Sequence, residues 1–165
     1  MIAMKFDETH TLNKPAASVL KMYSDRGYFE RKYQTLDGVK DFEVLECESS
    51  GDTFRIKHRS QQRSDIAMPD FARKILGEYN AVVQQDTWNL KTGVGRLEIE
   101  LKGVPLKISA DMKVAGSGNA TNTFSWNVSC SIPLLGGKLE KLIADDIRAK
   151  SAADMVLSNK LLADY

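Results

Sequence analysis

The sequence predicts an α+β fold in which a curled, seven-stranded antiparallel sheet wraps one long C-terminal helix. Three observations carry that expectation. From Val39 onward, apolar residues recur at every second position over roughly a hundred residues, as half-buried antiparallel strands require. Gly136-Gly137 then break the chain direction, and no Gly or Pro follows them. From Lys138 to Leu162 the spacing is helical, and at ~1.5 Å per residue that stretch would about span a domain of this size.

The elements follow in order. Residues 3–12 alternate loosely and form the first edge strand. Asn13 is the expected N-cap of a short helix with Pro15 in its first turn, and Ala16, Val19, Leu20 and Tyr23 share its inner face. A second short helix, Tyr28 to Leu36, follows the turn at Asp25-Arg26-Gly27 and stops at Asp37-Gly38. Six strands are expected at Val39–Glu48, Thr53–Ser60, Asn80–Asn89, Arg96–Leu101, Leu106–Val114 and Phe124–Ile132. In the last of these Phe124, Trp126, Val128, Cys130 and Ile132 oppose Ser125, Asn127, Ser129 and Ser131, which gives one apolar and one wet face. The order is strand, two short helices, six hairpin-linked strands and one long helix, read as a single domain over residues 1–165.

A sheet with one apolar face must bury it, and the last helix is the large apolar element available. At 100° per residue, Leu139, Ile143, Ile147, Ala149, Ala153, Val156 and Leu161 fall on one broad face. Alanines in the middle of that face cover surface without filling volume, so a space is expected between helix and sheet. Asp146 and Lys150 also sit near its centre, in the favourable acid-first i,i+4 order. Charges there are costly unless paired. They form either a structural ion pair at a thin place in the core or the border of a cavity where a ligand's polar group completes the pair.

One connection breaks the run of hairpins. Between Gln61 and Glu78 a loop is followed by one or two helical turns after Pro69. Connections this long among hairpins are often functional. Ile66, Met68, Phe71 and Ile75 suit a lid over the cavity mouth, or else pack permanently on the sheet edge. Arg55, Lys57, Arg59 and Arg63 make a basic stripe nearby, expected as a solvated strand face.

Composition is that of an ordinary globular chain. Of its 165 residues 42% are hydrophobic and 27% charged, and the formal net charge is +1. Such a balance gives no reason to expect nucleic acid. There is neither a signal-peptide-like apolar run nor a membrane-length one, so the cytoplasm is the expected location, with transient membrane contact left open. Cys47 and Cys130 are expected as free thiols in strands.

Catalytic motifs are missing. The histidines are His10 and His58, and no zinc-ligand spacing, nucleophile elbow or phosphate-binding loop occurs. No metal or cofactor is therefore expected, and no catalytic residue is assigned. Strand parity puts His58 on the inner face beside Phe54 and Ile56, with Asp86 and Gln84 facing the same way as Trp88.

The element order resembles the helix-grip fold of the START-like (SRPBCC) superfamily, which includes plant pollen-allergen and polyketide-cyclase relatives. The string Val128-Ser129-Cys130-Ser131-Ile132-Pro133-Leu134-Leu135-Gly136-Gly137-Lys138-Leu139-Glu140-Lys141-Leu142 is similar to an uncharacterised bacterial branch of it. In topology the resemblance covers the whole chain; in motif it covers this string and Gly103-Val104-Pro105. It implies binding or transport of a lipid, sterol, polyketide or aromatic compound in a cavity between sheet and helix. The expected walls are Phe54, Ile56, His58, Trp88, Ile99, Ile108, Met112, Phe124 and Trp126, with Ala149 and Ala153 from the helix. Phe71 and Ile75 would come from the lid, and Asp146 and Lys150 would be the polar anchor. A cyclase- or hydratase-type enzyme using His58 or Asp86, and a START-like protein-interaction module, are the alternatives.

Overall fold

A computed structural model describes residues 3–165. The elements are β1 (Met4–Leu12), α1 (Ala16–Tyr23), α2 (Arg26–Thr35), β2 (Val39–Ser50), β3 (Thr53–Arg63), α3 (Asp70–Arg73), β4 (Tyr79–Asn89), β5 (Val94–Leu101), β6 (Leu106–Ala115), β7 (Ala120–Cys130) and α4 (Gly136–Leu162). All seven strands form one antiparallel sheet in the order β1-β7-β6-β5-β4-β3-β2. The helix-grip architecture anticipated from the hairpin run and the long terminal helix is the one observed.

Local chemistry explains most boundaries. The N-cap of α1 is Pro15 rather than Asn13. Asn13 instead uses its backbone N–H to donate to Asn159 Oδ1 of α4 at 2.9 Å, tying the end of β1 to the long helix. Asp25 caps α2 by accepting from the Gly27 N–H at 3.0 Å, so α2 begins two residues earlier than the apolar spacing predicts. The outer edge strand β2 carries register shifts between Lys40 and Glu43 and between Val44 and Glu46, irregularities that discourage edge-to-edge pairing.

α4 is held along its length by polar contacts. Glu140, buried near its start, accepts from the Cys130 N–H at 2.7 Å. Ser151 donates to Glu8 Oε1 at 2.9 Å, and the same oxygen accepts from Trp126 Nε1 at 2.8 Å. Asn159 Nδ2 donates to the Thr11 carbonyl at 3.1 Å. These bonds stitch α4 to β1 and β7.

The expected face of α4 needs correction in its C-terminal half. Val156 is 76% exposed, Ala153 is exposed and Ala149 is half-buried. Over the middle of the helix the residues turned inward are Asp146, Ile147, Lys150, Ser151, Asp154 and Ser158, with Leu161 and Leu162 buried beyond them. Asp146, Lys150, Asp154 and Ser158 recur every fourth position, and a stripe with that spacing stays on one face of a helix. The sheet-facing stripe is therefore polar in its middle, because each of these groups finds a partner there.

The basic stripe is a solvated face except at Arg63, which lies at an inner rim. Arg55 pairs with Glu46 and Glu48 at 2.9 Å, and Arg59 with Glu43 at 2.7 Å, all across β2 and β3. Both thiols are free, Cys130 buried and Cys47 half-buried.

Candidate functional site: a cavity between the sheet and two helices

A cavity of about 340 Å³ lies between the inner face of the sheet, α2 and α4. Sheet residues build its apolar wall. Trp88, Met112 and Phe124 line it from neighbouring strands in one row, with Leu97 and Trp126 in the next and Ile99 beyond. Trp88 reaches this position because Gly95 stands opposite it on β5. A Cβ added at Gly95 would lie 2.6 Å from the indole, so the ring lies across the glycine and any side chain there would displace it. Tyr23 of α1 stacks on Trp88 with centroids 5.2 Å apart.

The polar end comes from α2, α4 and β4. Tyr28, Phe29, Lys32 and Tyr33 fall one turn apart on the buried face of α2. Lys32 points inward beneath the tyrosines, with Nζ 3.0 Å from Asp154 Oδ2 and 4.8 and 4.9 Å from the ring centres of Tyr28 and Tyr33. Burial alone would push the ammonium toward neutrality. The adjacent Asp154 carboxylate offsets that and holds the Lys32 pKa well above the ordinary lysine range. Asp154 also accepts from Ser158 at 2.9 Å, and Ser158 shares a hydrogen bond of 2.8 Å with the Tyr28 hydroxyl. Burial keeps the hydroxyls of Tyr28 and Tyr33 protonated to unusually high pH.

Asp86, 9% exposed, lines the cavity beside this cluster. Its Oδ1 accepts from Gln84 Nε2 at 2.8 Å. Burial pushes its carboxyl up to about 6, against opposing pulls from the Gln84 hydrogen bond and Lys32. His58 lies behind it, with Nε2 4.0 Å from Asp86 Oδ1. Neither ring nitrogen of His58 has a hydrogen-bond partner among the described residues. Burial, and secondarily Lys32, pushes His58 down to about 3, so the imidazole is neutral near pH 7.

At the rim, Arg63 pairs with Asp37 at 3.1 Å, and Lys150 with Asp65 at 3.2 Å. Lys150 also donates to the Arg63 carbonyl at 2.7 Å and sits 3.2 Å from Asp146. Asp146 in turn accepts from the Asp65 N–H at 2.5 Å. The Asp146–Lys150 pair is thus formed, and it fastens the start of the β3–α3 connection onto α4. A smaller space of about 70 Å³ adjoins, bordered by Asp146, Ile108 and Ile143 and sharing Ile99, Ile147 and Lys150 with the main cavity.

Of the residues expected at the site, the main cavity brings together Trp88, Ile99, Met112, Phe124, Trp126, Lys150 and Ala153, and the smaller space adds Ile108 and Asp146. Six do not line either space. Phe54, Ile56 and His58 face inward as strand parity required, but α2 and β2 close over them: Phe29 of α2 packs on Phe54 at 6.3 Å, and Tyr33 of α2 and Phe42 of β2 pack on His58 at 4.6 and 5.2 Å. Phe71 and Ile75 are half-buried against the core, and from this connection it is Asp65 that reaches the main cavity. Ala149 is half-buried on α4 and borders neither space.

Lys32, Tyr28, Tyr33 and Asp154 were not singled out from the sequence. Two signals were available: the lone lysine on the aromatic face of α2, and the fourfold spacing that carries Asp146 and Lys150 on to Asp154 and Ser158.

Among the described residues, no cluster of three or more His, Cys, Asp or Glu side chains could hold a metal ion. No described helix is long and apolar enough to cross a membrane.

Residues 7–160 match the family model described as "Protein of unknown function (DUF2505)". The chain belongs to that family. No curated protein sequence matches it. Its fold is shared with solved structures of low identity. Ara h 8.0201 superposes with a TM-score of 0.69 at 16% identity, covering 99% of this chain and 100% of that one. The Zhui aromatase/cyclase from Streptomyces sp. R1128 gives 0.65 at 12%, covering 96% and 95%. A point mutant of norcoclaurine synthase from Thalictrum flavum, in complex with a transition-state analogue, gives 0.60 at 10%, covering 96% of each chain. At these identities the likeness establishes the START-like fold for this DUF2505 chain.

Proposed function

We propose that this protein binds and carries an apolar small molecule, of lipid, sterol, polyketide or aromatic type, in the cavity between sheet, α2 and α4. The observation behind this reading is the cavity itself. Its volume of about 340 Å³ is at the small end of the ~300–1,000 Å³ typical of ligand sites. Its walls along the sheet are mostly aromatic and aliphatic, and its polar groups gather at the end formed by α2, β4 and α4 and at the rim. Evacuating a core in this way costs stability, and a bound apolar molecule would restore the lost contacts. The solved relatives add a fold-level analogy, since one is an aromatase/cyclase and another a synthase holding a transition-state analogue.

Native mass spectrometry of freshly purified protein, followed by organic extraction, tests the reading. A defined apolar adduct near unit stoichiometry is expected. A bare mass that persists after incubation with a panel of fused-ring and acyl compounds would sink it.

A cyclase- or hydratase-type enzyme is the second reading, and Asp86 favours it. A carboxyl held at about 6 inside an apolar cavity is suited to proton transfer near neutral pH. His58, being sealed beneath α2, is not the group to invoke. Loss of turnover with retained binding in Asp86→Asn would support this reading; unchanged turnover would remove it.

A further inference from the structure

The charged groups around the main cavity do not balance. Seven charged side chains line it, and six of them form pairs: Lys32 with Asp154 at 3.0 Å, Arg63 with Asp37 at 3.1 Å, and Lys150 with Asp65 at 3.2 Å. Asp86 is the seventh. Among the described residues its hydrogen-bond donor is the neutral amide of Gln84, and the nearest basic group within ion-pair reach is His58 at 4.0 Å, itself held neutral. Groups facing it from the packed elements are His58 of β3, Gln84 of β4, Lys32 and Tyr33 of α2 and Asp154 of α4. Lys32 draws on Asp86 only through space, since its ammonium is engaged by Asp154.

A second feature points the same way. Asn122, 1% exposed and lining the cavity, donates to the Tyr23 hydroxyl at 3.3 Å, while its carbonyl oxygen accepts nothing from the described residues. The cavity therefore offers two buried acceptors that lack a full set of donors. Among the described residues it offers no cation without a carboxylate partner. Tyr28, Tyr33 and Trp88 line the same cavity, the first two already carrying Lys32 over their rings and the third stacked by Tyr23.

From this imbalance we infer that the ligand is a cationic amphiphile, a protonated amine on a compact aromatic or fused-ring body, whose ammonium pairs with the Asp86 carboxylate. The inference rests on the ligand-binding reading above and adds the charge of the ligand to it. An anionic ligand would have to displace a carboxylate from one of the three pairs. A neutral one would supply no counter-charge, and as it expelled water from around Asp86 that carboxyl would have to take up a proton.

Three matched probes test it by isothermal titration calorimetry on the whole protein: naphthylethylamine, naphthylethanol and naphthylacetate. The amine is expected to bind roughly tenfold or more tightly than the alcohol at pH 7.5, the scale of a partly desolvated charge pair. Asp86→Asn should abolish that preference, so that amine and alcohol bind about equally. Because the pair needs the carboxylate, amine affinity should fall about tenfold from pH 7 to pH 5 as Asp86 protonates near 6, and the variant should lose this dependence. If the alcohol binds as well as the amine, or the acetate binds best, the charge assignment is overturned while the cavity reading stands. If none of the three binds, the charge assignment is overturned, and the cavity reading falls with it only if the fused-ring and acyl panel also leaves a bare mass.

Discussion

Two halves of the same sheet face end differently. On β3, Phe54, Ile56 and His58 are nearly inaccessible, pressed beneath α2. On β4 to β7, Trp88, Ile99, Met112, Phe124 and Trp126 come from equally regular alternation, yet they look onto open space. Strand sequence does not distinguish the two. The covering helix does: α2 is short and lowers Phe29 and Tyr33 onto β3, leaving only their outer edges to the cavity, whereas α4 runs along the other half and presents Ser151 and Asp154 across a gap. A cavity arises where the lid of the core carries small or polar side chains held by their own partners, so they cannot collapse inward.

The strongest way to break this contrast is to truncate on each side. Phe29→Ala should cost about 3–5 kcal/mol in denaturant unfolding, the usual price of a buried aromatic. Ile99→Ala, facing the cavity, should cost no more than about 2 kcal/mol, because part of its surroundings is already space. Equal losses would mean that the two halves are packed alike.

The buried titrating pair sharpens it further. The Asp86 pKa, about 6 in the folded state against 3.8 ordinarily, gives a contribution present at low pH and lost as pH rises through about 6. Asp86→Asn should accordingly raise stability by about 2 kcal/mol at pH 7.5 and by little at pH 4. A gain that is the same at both pH values would contradict this assignment. His58 acts in the opposite sense. With its folded pKa down at about 3 against 6.5, it contributes stability above 6.5 that is lost as pH falls toward 3. Between pH 6 and pH 4 the two partly cancel in the native protein. His58→Leu should unmask the Asp86 limb, with stability rising by about 1–2 kcal/mol as pH falls from 7 to 5; thermal melts across that range would show a flat or falling profile if His58 were not the opposing group.

The smallest effect is expected at the mouth. Ala153 lines the cavity yet is exposed, so Ala153→Leu should change stability by less than about 0.5 kcal/mol while weakening binding of the naphthyl probes severalfold. Ala149→Leu, on α4 but bordering neither space, should change neither. An equal loss of binding in both variants would misplace the mouth.

Much of this molecule was legible before any coordinates. Hairpin periodicity gave all seven strands within a few residues, because alternation records which face is buried one residue at a time. Parity put Asp86, Gln84 and Trp88 on the inner face, and the acid-first spacing of Asp146 and Lys150 marked a pair that the structure forms at 3.2 Å. Tertiary packing decided which inward residues meet a cavity, and the sequence cannot encode that locally: Phe54 and Trp88 share one parity, and only the position of α2 separates them. The rotation of α4 was likewise out of reach from hydrophobicity alone. Its inward stripe, Lys150, Ser151, Asp154 and Ser158, is polar because Asp65, Glu8, Lys32 and Tyr28 stand opposite. Those partners lie more than a hundred residues away in most cases, and burial of a polar face is favourable only once they are in place.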